Sequence, residues 1–151
     1  MTSPTRLTPT VSVSGQIEPG DLVGLQAAGV RLVVNNRPDG EEAGQPPSER
    51  LAEAARQLSL RYLHLPVDHR GFQPDQVHAL AAELADVESN GDGGSVLLFC
   101  RTGTRSTLLW ALAEATRGTL IDRIARAADD AGYSVQPIRQ TLDLLAARER
   151  E

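Results

Sequence analysis

Residues 95–112 read SVLLFCRTGTRSTLLWAL. The first five form a continuous apolar run, the pattern of a strand buried on both faces of a sheet. The run stops at Cys100, RTGT supplies a tight Gly-containing turn, and helical spacing from about Arg105 to Thr116 ends before Gly118. In open α/β sheets ligands bind beyond the carboxyl ends of the strands, which is where this order puts Cys100. The backbone N–H groups of Arg101, Thr102, Gly103 and Thr104, with the helix start, form a cradle for an anion. Arg105 can add a two-pronged guanidinium, and such positive surroundings favour a thiolate over a thiol. A lone cysteine after an apolar strand otherwise reads as a small core residue. Thiol, glycine loop and arginine together bring a nucleophile and an oxyanion holder to one place, so Cys100 reads as the nucleophile.

The elements around this unit alternate in type. TVSVS at Thr10–Ser14 suits a short strand, and Pro19 opens a helical stretch that Gly29 stops. Arg31–Val34 is a β-branched run that breaks into NNRPDGEEAGQPP, followed by a helix over about Ser48–Leu58 and a strand within Leu60–Val67. Pro74 begins a longer helix that the GDGG cluster at Gly91–Gly94 ends, and two amphipathic segments, about Leu120–Ala131 and Pro137–Arg150, follow the Cys loop. Strands alternating with helices predict an α/β fold with a parallel-rich central sheet flanked by helices. Residues 10–151 read as a single domain preceded by a flexible stretch over 1–9.

Composition narrows the function. At 151 residues the chain can bury a core without staples, and its single cysteine excludes an internal disulfide or a Cys-x-x-Cys pair. All 15 basic residues are arginine, but 20 acidic ones leave a net charge of −5, and aromatic residues are 3%, which together argue against a nucleic-acid partner. Three scattered histidines without paired acidic or thiol ligands predict no catalytic metal, and no cofactor is called for. With no apolar run of membrane-spanning length and no leader-like h-region, a cytoplasmic location without membrane association is the expectation.

CRTGTRS resembles the active loop of cysteine-dependent phosphatases and that of rhodanese-type sulfurtransferases. Across the chain, VSVSGQ, GVRLVVNNRPDGEE, RYLHLPV, LLFCRTGTRSTLLWAL and the late AGYSV resemble one bacterial family, the phosphatase-like domains also found fused to metallo-β-lactamase-like hydrolases. The resemblance runs from about Val11 to Leu145 and implies a fold similar to dual-specificity phosphatases. Two departures stand out. Phosphatase signatures carry five residues between Cys and Arg and a His before the Cys; here four residues, Arg101–Thr104, intervene and Phe99 replaces the His. Four is the loop length associated with rhodaneses, and a shorter loop shrinks the ring of N–H groups available to three phosphoryl oxygens.

The resemblance also implies roles elsewhere. Asp68, 32 residues before Cys100, stands where the small phosphatases carry their general acid. A solvated loop carboxylate is the plainer reading, and His69 is an alternative proton donor. Ser106 follows the arginine as a hydroxyl does in the phosphatase signature, where it hydrogen-bonds the thiolate, and it equally suits a helix start. Asn35 and Arg37 leave a neighbouring strand and are placed to contact substrate or to brace the Cys loop; Arg101 stands at the rim. The leading expectation is a phosphatase-like hydrolase of a phosphorylated small molecule or protein, acting through a phosphocysteine. A sulfurtransferase that takes a persulfide on Cys100 from a sulfane-sulfur donor is the first alternative, and a non-catalytic oxyanion- or phosphoprotein-binding module the second.

Overall fold

The computed structural model describes residues 3–149. Five strands form one sheet: β1 (Thr5–Thr8), β2 (Val11–Ser14), β3 (Val30–Asn35), β4 (Arg61–His64) and β5 (Ser95–Phe99). Their order is β1-β2-β5-β3-β4, with β1 antiparallel to β2 and every other pairing parallel. The helices described are α1 (Leu22–Ala27), α2 (Ser48–Gln57), α3 (Pro74–Asn90), α4 (Thr104–Thr116), α5 (Ile121–Asp130) and α6 (Arg139–Glu149). This is the fold class that the alternation of elements predicts.

The pleat of β5 sorts the core into two layers. Val96 and Leu98 point to the face covered by α3, α4, α5 and α6, where they pack with Val13, Leu32, Val34, Leu80, Leu84 and Leu109. Leu97 and Phe99 point to the other face, against Leu22 and Leu25 of α1 and Leu51 and Ala55 of α2. The four apolar side chains of β5, Val96–Phe99, are fully buried, as an unbroken apolar run requires. Helix α4 is buried along Ser106–Ala115 because it lies between the sheet and the helices α3, α5 and α6. An apolar sequence on all sides suits that position. The helix that begins at the Cys loop is thus the most enclosed of the helices described.

One boundary differs from the sequence reading. Thr5–Thr8, expected within a flexible stretch over 1–9, forms β1 along the outer edge of β2, with Leu7 buried in the core. Met1 and Thr2, and Arg150 at the end of the expected last helix, lie outside the described residues. The strand expected within Leu60–Val67 is regular over Arg61–His64, and past it the Leu65 and Val67 N–H groups still donate to Asn35 O and Asn36 O, both at 2.9 Å, on either side of Pro66.

The central strand carries both the fold and the Cys loop. Leu98→Ala should therefore cost about 2–5 kcal/mol, the range for a large-to-small change at a fully buried site. Urea unfolding of the variant beside the unaltered chain measures it.

Candidate active site

Strand register sets the site. Ser14, Phe99 and Asn35 lie side by side, and His64 stands beside Asn35, so the four parallel strands end along one edge. The pairing continues just past that edge: the Cys100 N–H donates to Ser14 O at 3.3 Å and the Asn36 N–H to Phe99 O at 2.8 Å. The segments that leave β2, β3, β4 and β5 are held together there before any side chain contributes.

Cys100 is buried, 1% exposed, and its Sγ accepts the Gly103 N–H at 3.1 Å. Gly103 adopts φ +93°, a left-handed conformation that a side chain resists, and it caps the start of α4. Thr107 closes the first turn by donating both its N–H and its hydroxyl to Gly103 O. Arg101, Thr102 and Thr104 are exposed around the loop, and the Thr102 and Thr104 hydroxyls lie 3.2 Å apart. The loop residues singled out in the sequence are gathered around the one thiol.

Arg105 reaches across the opening. Its Nη1 and Nη2 donate to the two oxygens of Glu41 at 2.8 and 2.9 Å, and Nη1 also donates to Val67 O at 2.9 Å. The two N–H groups of one guanidinium thus meet two oxygens of one anion, the geometry an oxyanion holder needs. The hydrogen bonds that Arg105 donates to Glu41 raise it above its ordinary value. Glu41 responds in kind. Chiefly through its bond to Arg105, and also through Arg37, its carboxyl is lowered to about 2.

Arg37 and Asn35 brace rather than face the opening. The Arg37 side chain is 3% exposed and spends its guanidinium on Glu41 (2.8 Å), Gln16 (2.9 Å) and Glu42 (2.6 Å). Asn35 accepts the Arg37 N–H at 2.8 Å and donates to the Tyr62 hydroxyl at 2.9 Å. Every polar group named here already has a protein partner, so of the two roles expected of these residues the bracing one fits. Glu42 in turn holds Arg101 at 3.1 Å, on the exposed rim.

Ser106 is placed differently from the role implied by the phosphatase signature. Its hydroxyl donates to Asn36 Oδ1 at 2.8 Å, while Asn36 Nδ2 donates to Leu65 O. This pins α4 to the end of β3 instead of reaching the thiolate. Asp68 lies at the expected loop position, but its carboxylate is paired with Arg70, 3.0 Å from Nη2 and 3.1–3.2 Å from Nε, and accepts the Arg70 N–H at 2.9 Å. These hydrogen bonds lower its carboxyl further below the ordinary range, so at neutral pH it is a base that must be freed and protonated before it can act as an acid. His69 is exposed beside it.

Four contributors carried no assigned role in the sequence: Glu41, Asn36, Gln16 and Tyr133. The Tyr133 hydroxyl donates to Thr102 O at 3.0 Å and fills the space that a side chain at Gly103 would need. Chiefly burial raises that hydroxyl above its ordinary value, so it stays protonated. Among the described residues no three His, Cys, Asp or Glu side chains are gathered to hold a metal ion, and no helix is long and apolar enough to cross a membrane.

Comparisons with known proteins bear on the family and on the fold. The chain is 34% identical over 110 residues to a beta-lactamase hydrolase-like protein of Xylella fastidiosa and 31% identical over 115 residues to one of Agrobacterium fabrum. Those alignments cover 73% and 76% of the chain but 24% and 26% of the relatives, so the chain spans about a quarter of the length of the curated proteins it matches. A provisionally assigned phosphatase of Neisseria meningitidis superposes with a TM-score of 0.72 at 30% identity, over 93% of this chain and 96% of that one. A tyrosine-to-histidine variant of human DUSP28 superposes at 0.73 with 17% identity over 99% and 98%, a likeness of fold alone. The parallel-rich sheet and its helices are those of the dual-specificity phosphatases. Residues 5–117 match the family described as beta-lactamase hydrolase-like protein, phosphatase-like domain, and to that family the chain belongs.

Proposed function

We propose that this phosphatase-like domain hydrolyses phosphomonoesters with Cys100 as nucleophile. The observation that carries the reading is the Arg105 fork, which already holds two oxygens of one anion beside the buried thiol. In the proposed reaction an incoming phosphoryl group takes the place of the Glu41 carboxylate on Arg105. The Cys100 sulfur attacks phosphorus, an S–P bond forms, and the ester P–O bond breaks with its electron pair leaving on the alcohol or phenol oxygen. Asp68, released from Arg70, supplies the proton to that oxygen and then accepts one from the water that cleaves the S–P bond. Loop N–H groups and Arg105 hold the charge that spreads over the equatorial oxygens.

A second reading is favoured by two specific features, the four-residue spacing from Cys100 to Arg105 and the pairing of Asp68 with Arg70. In it, the thiolate attacks the outer sulfur of a sulfane donor such as thiosulfate, an S–S bond forms, and sulfite leaves. A nucleophile such as cyanide then removes the terminal sulfur and regenerates the thiolate. This route needs no general acid. The site's anion would be the sulfonate of the donor, held by the same arginine.

Aryl phosphate hydrolysis measured beside thiosulfate-to-cyanide transfer separates the readings. Phosphate turnover that Cys100→Ser abolishes, with the fold retained, is the expected result. Sulfur transfer alone would install the second reading, and binding of phosphate without either activity would leave an anion-binding module.

Asp68 and Arg70 provide a finer test. Asp68→Asn should slow hydrolysis about 10²–10⁴-fold, most for poor leaving groups, and leave any sulfur transfer unchanged. Arg70→Gln has the opposite sign: with its partner gone, the Asp68 carboxyl moves up toward its ordinary value, more of it is protonated at pH 5, and hydrolysis there should rise. Steady-state rates across pH 4–7 on an alkyl phosphate read both effects.

Glu41→Gln removes the resident anion from Arg105. Calorimetric titration with inorganic phosphate should then show tighter binding, by about tenfold or more, since the two charge-assisted contacts to Glu41 no longer compete.

A further inference from the structure

The Tyr133 hydroxyl donates to the Thr102 carbonyl at 3.0 Å, and the Gly103 N–H donates to Cys100 Sγ at 3.1 Å. These two bonds belong to opposite ends of one peptide unit. That unit is planar and trans, so its C=O and N–H point in opposite directions, and a donor fixed on the first sets the aim of the second. The unit is otherwise easy to turn. Gly103 follows it with φ +93°, Thr102 is exposed, and no side chain caps the start of α4. Tyr133 comes from the turn after α5, a part of the chain 31 residues away, and reaches back onto the loop. A Cβ at position 103 would lie 2.3 Å from its hydroxyl oxygen, so the close approach and the glycine depend on each other.

We infer that Tyr133 is a positioning residue for Cys100: its hydroxyl holds and polarises the Thr102–Gly103 peptide so that the N–H stabilises the sulfur as thiolate. Hydrogen bonds in series strengthen one another, so a donor on the carbonyl makes the N–H a better donor to sulfur. The raised hydroxyl of Tyr133 stays protonated across the neutral range, as a donor to a carbonyl must. This inference rests on the reading of Cys100 as a reactive thiolate.

Arg105 from α4 also bears on the sulfur through its charge, and Glu41 from the β3–α2 loop acts on it through Arg105. Neither is altered by Tyr133→Phe, which keeps the ring and removes only the hydroxyl. The chain has one cysteine, so its ionisation can be followed by thiolate ultraviolet absorbance, with Cys100→Ser as the blank. In Tyr133→Phe the pH of half-ionisation should rise by about half a unit to one unit, the effect of losing one hydrogen bond, with thermal unfolding unchanged. Tyr133→Leu should show the same rise together with a lower Tm from the lost ring packing. If the Phe variant titrates like the unaltered protein, and only Leu differs, Tyr133 is a packing residue and the inference is overturned. An unaltered thiol that titrates at the ordinary value of about 8.5 overturns the Cys100 reading first, and the Tyr133 inference with it.

Discussion

The carboxylate of Glu41 stands between two guanidinium groups. Arg37, sealed within the protein, donates to it at 2.8 Å, and Arg105, at the opening, donates to it twice. An arginine with the freedom of its long side chain is a poor template for an oxyanion; this one is aimed by an anion that the neighbouring loop supplies. Burying Arg37 is tolerable because Gln16, Glu41 and Glu42 meet its three nitrogens and leave little charge uncompensated. The loop that brings Glu41 is itself stitched down, with Gln45 donating to Pro38 O and Asp39 accepting the Ser48 N–H at the start of α2. From a buried arginine to an exposed fork, each charge is placed by the one behind it.

A second constraint is the common ending of the parallel strands. Because β2, β5 and β3 pair in register up to Ser14, Phe99 and Asn35, the loops that follow them are neighbours whatever their composition. Side chains then specialise the shared edge. Ser106 and Asn36 lock α4 to the end of β3, the backbone of Gly103 faces the sulfur, and Val67 O steadies Arg105 from the loop after β4. The floor of the site is backbone, and its rim is arginine and glutamate.

Much of this was legible in the residues. The apolar run SVLLF and the turn after it located both the central strand and the thiol, because a strand buried on two faces has a pattern that few other environments allow. β1 was not legible: TRLT offers one buried side chain, Leu7, and the Pro9–Thr10 turn that folds it back on β2 lacks the glycine or asparagine that marks a tight hairpin. Glu41 and Glu42 lie in a quoted segment, yet an acidic pair in a loop looks solvated until the partner 64 residues away is known. Ser106 satisfies local rules for two different hydrogen bonds, and only the position of Asn36 decides between them. Asp68 stands where family spacing implies an acid, while the residue two places on, Arg70, holds it as a carboxylate. What escaped the sequence is the partner of each polar side chain, since partners are chosen by the fold and not by spacing.

The bond from Tyr133 to Thr102 and the pairing of β2 with β5 both join parts of the chain that synthesis keeps far apart. Contacts of such sequence separation carry a loop-closure cost that is recovered only when the sheet is assembled. The thiol, its glycine and Arg105 lie on one strand–loop–helix segment, but Glu41, Val67 and Tyr133, which fix their aim, come from other parts of the chain. The aim of the thiol and of the arginine is therefore a property of the assembled sheet, and loosening any of the three distant segments would blunt it without touching the Cys loop itself.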